Sequence, residues 1–220
     1  MLDMDTLQML GLGILETLYM TLVSSLFAYI IGIPLGILLI LTGQNGLRPM
    51  RILNTTLNII VNVGRSIPFI ILLITLLPFT RFLIGTTIGS NAIVVPLVIA
   101  AAPFIARLVE SSLKEVDAGV IEAGRSMGAT NTQIIVKILL KEARPSLLVG
   151  SAIAVTTILS YSAMAGFVGA GGLGNIAIQY GYYRYETDIM LITVVLLVVI
   201  VQILQEVGMR LAKYFDKRVN

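Results

Sequence analysis

The sequence predicts an all-α integral membrane protein with five transmembrane helices, and three observations carry that expectation. Apolar residues make up 57% of the chain against 12% charged, and mean hydropathy is +0.96. A water-soluble domain carries about 25% charged residues, so this chain lacks the polar surface to cover a globule in water. Long uncharged runs recur, the clearest being the 25 residues from Thr17 to Leu41. Lysine and arginine are also spread unevenly over the segments between those runs.

A spanning helix needs roughly 20 apolar residues, because the hydrocarbon layer is about 30 Å thick and each helical residue rises about 1.5 Å. The first span is expected over about 12–42. The second is expected over 52–79, interrupted by Arg65 alone. The third follows a GTTIGSN turn and covers 91–113. A cytoplasmic loop is expected over about 114–145. The fourth span, 146–165, opens an uncharged stretch from Ser146 to Tyr183. That stretch is 38 residues long, too long for one helix, and rich in glycine after Ala165. The fifth span covers 187–211, with Glu206 near its end. Together these form a single transmembrane domain over 1–220.

Twelve of the fifteen basic residues fall on one side when the joining segments are assigned alternately. They are Arg48 and Arg51, six from Arg107 to Arg144, and Arg210, Lys213, Lys217 and Arg218. The other side holds Arg81 and Arg184. Cytoplasmic loops are the positive ones, so the N-terminus is expected outside and the C-terminus in the cytoplasm. The opening MLDMDTLQML is acidic, has no basic n-region, and does not read as a cleavable signal peptide.

Composition also excludes functions. Without cysteine there is neither a disulfide framework nor a thiolate metal site. Without histidine the commonest general base and the usual zinc ligand are missing. No catalytic residue, metal site or nucleic-acid interface is predicted. No G-x-x-x-x-G-K-[ST] occurs, so the chain has no P-loop and no nucleotide cofactor of its own. Gly169–Gly174 does match G-x-G-x-x-G, but it follows a membrane span rather than a strand. Its glycines predict a broken or re-entrant segment instead, packed under protein or water.

The loop reads as two short helices. Asp117 is placed to cap a helix through Met127, with Val120, Ile121, Ala123 and Met127 as its apolar stripe. Gly128 is placed to end it in a left-handed conformation. Thr130 and Gln133 form a capping-box pattern opening a second helix, with Ile134, Ile135, Ile138 and Leu139 on its apolar side. Physics alone leaves two roles open: a connector lying on lipid headgroups, or a compact docking knob.

The residues choose between them. Glu122-Ala123-Gly124, three residues, Gly128, nine residues, then Ile138-Leu139-Leu140 resembles the E-A-A loop of ABC-importer permeases. Gly124 replaces the third alanine of that pattern and Lys141 its proline, with Pro145 four residues on as a substitute helix breaker. The likeness covers nearly the whole chain. Arg65-Ser-Ile-Pro-Phe69, Ala102-Pro-Phe-Ile-Ala-Arg107, Gly128-Ala129-Thr130, Tyr161-Ser-Ala-Met164 and Gly169-Ala-Gly-Gly-Leu-Gly174 look like the methionine-importer permease family. The resemblance implies a five-helix subunit of the type I ABC-importer fold in a bacterial plasma membrane. It also implies pairing with a second copy, two ATPase subunits that bind the ATP, and an extracytoplasmic substrate-binding protein. The coupling loop would comprise Glu122, Ala123, Gly124, Met127, Gly128, Ala129 and Thr130.

Polar side chains within lipid must face protein or a water-filled cavity. Asn54, Asn58, Asn62 and Ser66 recur every four residues along the second span, so they share a face with Arg65. Two roles are open to these asparagines, helix–helix glue or a lining of the path. Arg65 either attracts a substrate carboxylate or pairs with a residue such as Glu110. Tyr161 and Met164 are gate candidates, with core or lipid-facing packing as the alternative. Among functions, a permease for another small amino acid or nutrient stands beside methionine import. A self-sufficient secondary transporter typically shows internal repeats and midplane carboxylates, and neither is read here. A non-transporting scaffold would have no need of a docking motif.

Overall fold

The structure, a computed structural model, describes residues 4–216. Lys217 and Arg218, counted among the basic residues above, lie outside them. The described residues form ten α-helices and no strand: α1 (Met4–Thr42), α2 (Arg51–Ser66), α3 (Phe69–Ile84), α4 (Ser90–Lys114), α5 (Ala118–Ser126), α6 (Asn131–Gln133), α7 (Leu140–Glu142), α8 (Arg144–Met164), α9 (Gly172–Ile176) and α10 (Thr187–Phe215). A 3₁₀ turn (Ala165–Val168) follows α8, and π-helical turns occupy Ile134–Leu139 and Ala177–Tyr182.

Among the described residues, α1, α4, Arg144–Val168 and α10 are each long and apolar enough to cross a bilayer. The expected second span over 52–79 is not one helix. It is α2 and α3, 16 residues each, which reach spanning length only when taken together. Pro68 makes the break, since it has no N–H to donate and disfavours helical conformation at Ile67. At φ −57° and ψ 133° it leaves the helix and starts the next, its carbonyl accepting from Ile71 and Leu72 N–H at 3.0 Å each. The loop over 114–145 is almost wholly helical, and Pro145 sits in the first turn of α8, where a missing N–H costs nothing.

The chain divides into two compact units. The first takes the described part of Met1–Ala28, with Ile67–Ala101 and Val155–Gln205. Its core joins Met20, Phe69, Leu73, Ile93, Leu97 and Ala165. Phe69 and Tyr161 stack there, ring centroids 4.5 Å apart and planes 3° from parallel. A second cluster sets Leu10, Leu159, Leu173 and Ile176 against Ile200 and its neighbours on α10. Most of α10 is nonetheless open: only 6% of the residues in its most apolar stretch are buried within the chain. Such an apolar surface requires lipid or another protein.

The glycine segment is broken, as its composition predicts, and it is buried. Gly169, Gly171 and Gly172 take φ of 78°, 84° and 74°. The backbone N–H of Gly172 donates to Glu16 Oε2 at 2.5 Å, and that of Leu173 to Thr17 Oγ1 at 2.9 Å. A carboxylate thus occupies the amides at the start of α9 that a dinucleotide fold would aim at a phosphate.

The second unit takes Tyr29–Ser66, Ala102–Ala154 and the described part of Glu206–Asn220. Its apolar cluster is small, built on Leu39, Val61 and Ala106 with Leu35 and Leu57 against them. Both features described next belong to this unit.

Candidate functional site

The first feature is the loop corner. Asp117 caps α5, its Oδ1 accepting from Gly119 N–H at 2.7 Å. The helix then closes in a Schellman motif. Gly128 N–H donates to Arg125 O at 2.9 Å and Ala129 N–H to Gly124 O at 3.0 Å, with Gly128 at φ 78°. One residue later Thr130 opens the next helix with a complete capping box. Gln133 N–H donates to Thr130 Oγ1 at 3.3 Å, and Thr130 N–H to Gln133 Oε1 at 2.9 Å. The two caps on either side of Ala129 set the backbone of the corner through local hydrogen bonds.

Burial then separates its faces. Ile134 and Leu139 are buried, and Ile135 and Ile138 half-buried, so the second apolar side points inward. The stripe expected on α5 does not. Val120 is 40% and Met127 81% exposed, Ala123 is exposed, and Ile121 alone is half-buried. What α5 buries is Gly124, where a Cβ would come within 2.5 Å of Ile138 Cδ1. That close seat accounts for glycine in place of the pattern's third alanine. Glu122 is exposed and has no hydrogen-bond or ion-pair partner among the described residues. The corner therefore presents the apolar face of Val120, Ala123 and Met127 outward, the makings of a docking surface.

The second feature is a ladder of polar side chains. Thr42 Oγ1 donates to Leu38 O at 2.7 Å on α1. Asn54 Nδ2 donates to Leu39 O at 2.8 Å and to Thr42 Oγ1 at 3.0 Å. Asn58 Nδ2 donates to Asn54 O at 2.9 Å and Oδ1 at 3.0 Å. Arg107 Nη2 donates to Asn58 Oδ1 at 3.1 Å and Asn62 Oδ1 at 2.6 Å. Arg107 Nη1 meets Glu110 Oε2 at 2.5 Å, and Lys114 Nζ meets Glu110 Oε1 at 2.6 Å. The Glu110 side chain is 5% exposed. A buried carboxylate of this kind is tolerated because two cations hold it. Beside the ladder lies a cavity of about 810 Å³, lined by Asn58, Arg107, Glu110 and Lys114 and, from α5, by Glu122 and Arg125.

The remaining candidates fall apart from one another. Asn58 and Asn62 converge on Arg107 as glue between α2 and α4. Arg65 is exposed and has no hydrogen-bond or ion-pair partner among the described residues, and Glu110 is held by other cations. Ser66 is exposed and its Oγ bonds only Asn62 O within its own helix, at 2.8 Å. Tyr161 is half-buried on Phe69, and Met164 is 46% exposed at the last residue of α8. Arg107 is the residue that sequence reasoning missed. Its signal was present: Arg107, Glu110 and Lys114, the three charged residues of α4, stand at i, i+3 and i+7 on one face.

A sequence model of the family described as binding-protein-dependent transport system inner membrane component matches residues 32–220, which include the whole corner and ladder. The chain belongs to this family. Members are membrane components of transport systems rather than enzymes. A probable D-methionine transport system permease of Pasteurella multocida is 49% identical over 96% of this chain and 97% of its own length. The methionine import system permease of Bacillus subtilis is 47% identical over 92% of this chain and 91% of its own length. Among solved structures, a chain of the MetNI methionine ABC transporter in an inward-facing conformation matches with TM-score 0.96 at 47% identity. It covers 98% of this chain and all of that one. The all-helical architecture is thus that of an ABC-importer permease.

Proposed function

We propose that this chain is the membrane-spanning permease subunit of an ATP-driven methionine importer in the bacterial plasma membrane. It works as a homodimer with two ATPase subunits and an extracytoplasmic binding protein. The observation that carries the reading is the corner from α5 to Thr130: a doubly capped knob with an outward apolar face, in a chain 47% identical to a methionine transporter chain over 98% of its length. The ATPase cleft takes α5, with Glu122 paired to a basic group on that subunit. The exposed Asn62, Arg65, Ser66 and Met164 are the candidates to line the path between the two copies, with Asn58 and Tyr161 holding the helices behind them. The test is uptake of labelled methionine into vesicles bearing the purified permease, its ATPase and the binding protein, with ATP inside. Uptake of a different amino acid and not methionine would overturn the substrate.

The proposed topology places Gln8 outside and Thr132 in the cytoplasm. Both are exposed and the chain has no cysteine of its own. In intact cells a membrane-impermeant maleimide is expected to label Gln8→Cys and to leave Thr132→Cys unlabelled until the membrane is opened. External labelling at position 132 would invert the layout.

A further inference from the structure

Lys114 is the last residue of α4 and stands three residues before Asp117, the cap of the docking helix. From Lys114 the side-chain bonds run without a gap through Glu110 and Arg107 to Asn58 and Asn62 on α2, and on through Asn54 to α1. We propose that Arg107 is a positioning residue for transport, passing displacement of the docking loop through Glu110 to the asparagines of α2. The proposal rests on the import reading above.

Three features make the ladder a mechanical link rather than ordinary glue. The guanidinium spends donors on both elements at once, and its planar fork fixes their relative direction in a way an ammonium does not. Glu110 is almost wholly buried, so separating either cation strands a charge out of water, and the three groups move together. Finally, α2 fully buries only Val61 among its 16 residues, so packing gives it little other hold. The cavity of about 810 Å³ leaves α5 free on the side facing the ladder. Displacement of α5 therefore has a route to α2 through the α4 terminus and these bonds.

The experiment uses the complete complex, with Thr55→Cys as a spin-label site on α2, exposed and in a chain lacking cysteine. The distance between labels on the two copies is measured with and without ATP. Uptake and ATP hydrolysis are then measured in the same vesicles. Asn58→Ala/Asn62→Ala removes the α2 end of the ladder and leaves the Arg107–Glu110–Lys114 pairing whole; Arg107→Met removes the centre, and Arg107→Lys keeps charge without the fork. We expect an ATP-dependent distance change that both disrupted variants lose while still assembling. ATP spent per methionine should rise at least tenfold in both, with Arg107→Lys between them and wild type. Unchanged distance shifts, or no shift in wild type, would overturn the proposal. So would reduced uptake with a raised KM at constant ATP per methionine in Arg107→Met, which marks a contact of Arg107 with the solute. Failure of wild type to take up methionine counts against the import reading alone, since the label distances decide the ladder without a substrate.

Discussion

Gly128→Val is expected to cut uptake to less than about a tenth while leaving membrane insertion and dimer formation intact. At φ 78° a residue with a Cβ is strained, by about 1–2 kcal/mol for an ordinary side chain and more for a branched one. Nothing lies within 4 Å of where that Cβ would stand, so crowding adds nothing and the effect is purely conformational. The chain escapes the strain only by leaving the left-handed region, which breaks the bonds from Gly128 N–H to Arg125 O and from Ala129 N–H to Gly124 O. Two to three kcal/mol is a factor of roughly 30–150 in the population of the docking-competent corner. Asn tolerates this region better than other side chains with a Cβ, so Gly128→Asn should retain much of the transport. The measurement is uptake and ATPase co-purification at matched membrane levels. Wild-type uptake in the valine variant would reduce the loop to a connector.

The corner was legible in the sequence because every device that builds it is local. Asp117 caps two residues ahead, Gly128 turns within its own motif, and Thr130 and Gln133 bond three apart. The ladder was legible only by half. Periodicity places Asn54, Asn58 and Asn62 on one face, but the Arg107 that meets Asn58 and Asn62 lies 49 and 45 residues away on α4. The spacing of Arg107, Glu110 and Lys114 marks a charged face on α4, but only the fold shows that the asparagines of α2 meet it rather than Arg65. Pattern finds the stripe on α5 but not what covers it, because an apolar stripe reads the same whether it packs inside its own chain or waits for a partner. At Pro68 the missing donor is visible in the sequence, yet hydropathy runs straight across it. A window average registers apolarity, while the break is set by backbone stereochemistry.

Gly174→Ala is expected to cost more than any surface change, and to show as loss of folded protein rather than loss of coupling. Gly174 is buried where α9 meets the end of α8. A Cβ there would stand 2.5 Å from Ala163 Cα, and one on Gly166 would stand 2.5 Å from Gly174 C. The two segments touch backbone to backbone, so no rotamer change gives relief, unlike at Gly124, where the obstacle is the tip of an isoleucine. Overpacking in a core costs about 1–3 kcal/mol even where side chains can shift. Here α9 must withdraw, loosening the bonds of Gly172 and Leu173 N–H to Glu16 and Thr17. Gly11 is the matched control: it lies in α1, exposed, with nothing within 4 Å of its would-be Cβ. Gly11→Ala, at no steric cost, gains about 0.5–1 kcal/mol of helix propensity. Thermal unfolding of the two variants in detergent should therefore diverge, Gly174→Ala falling by about 5 °C or more and Gly11→Ala holding or rising. Equal melting temperatures would mean that α8 and α9 separate freely in the folded protein, and that the glycines serve motion instead of close packing.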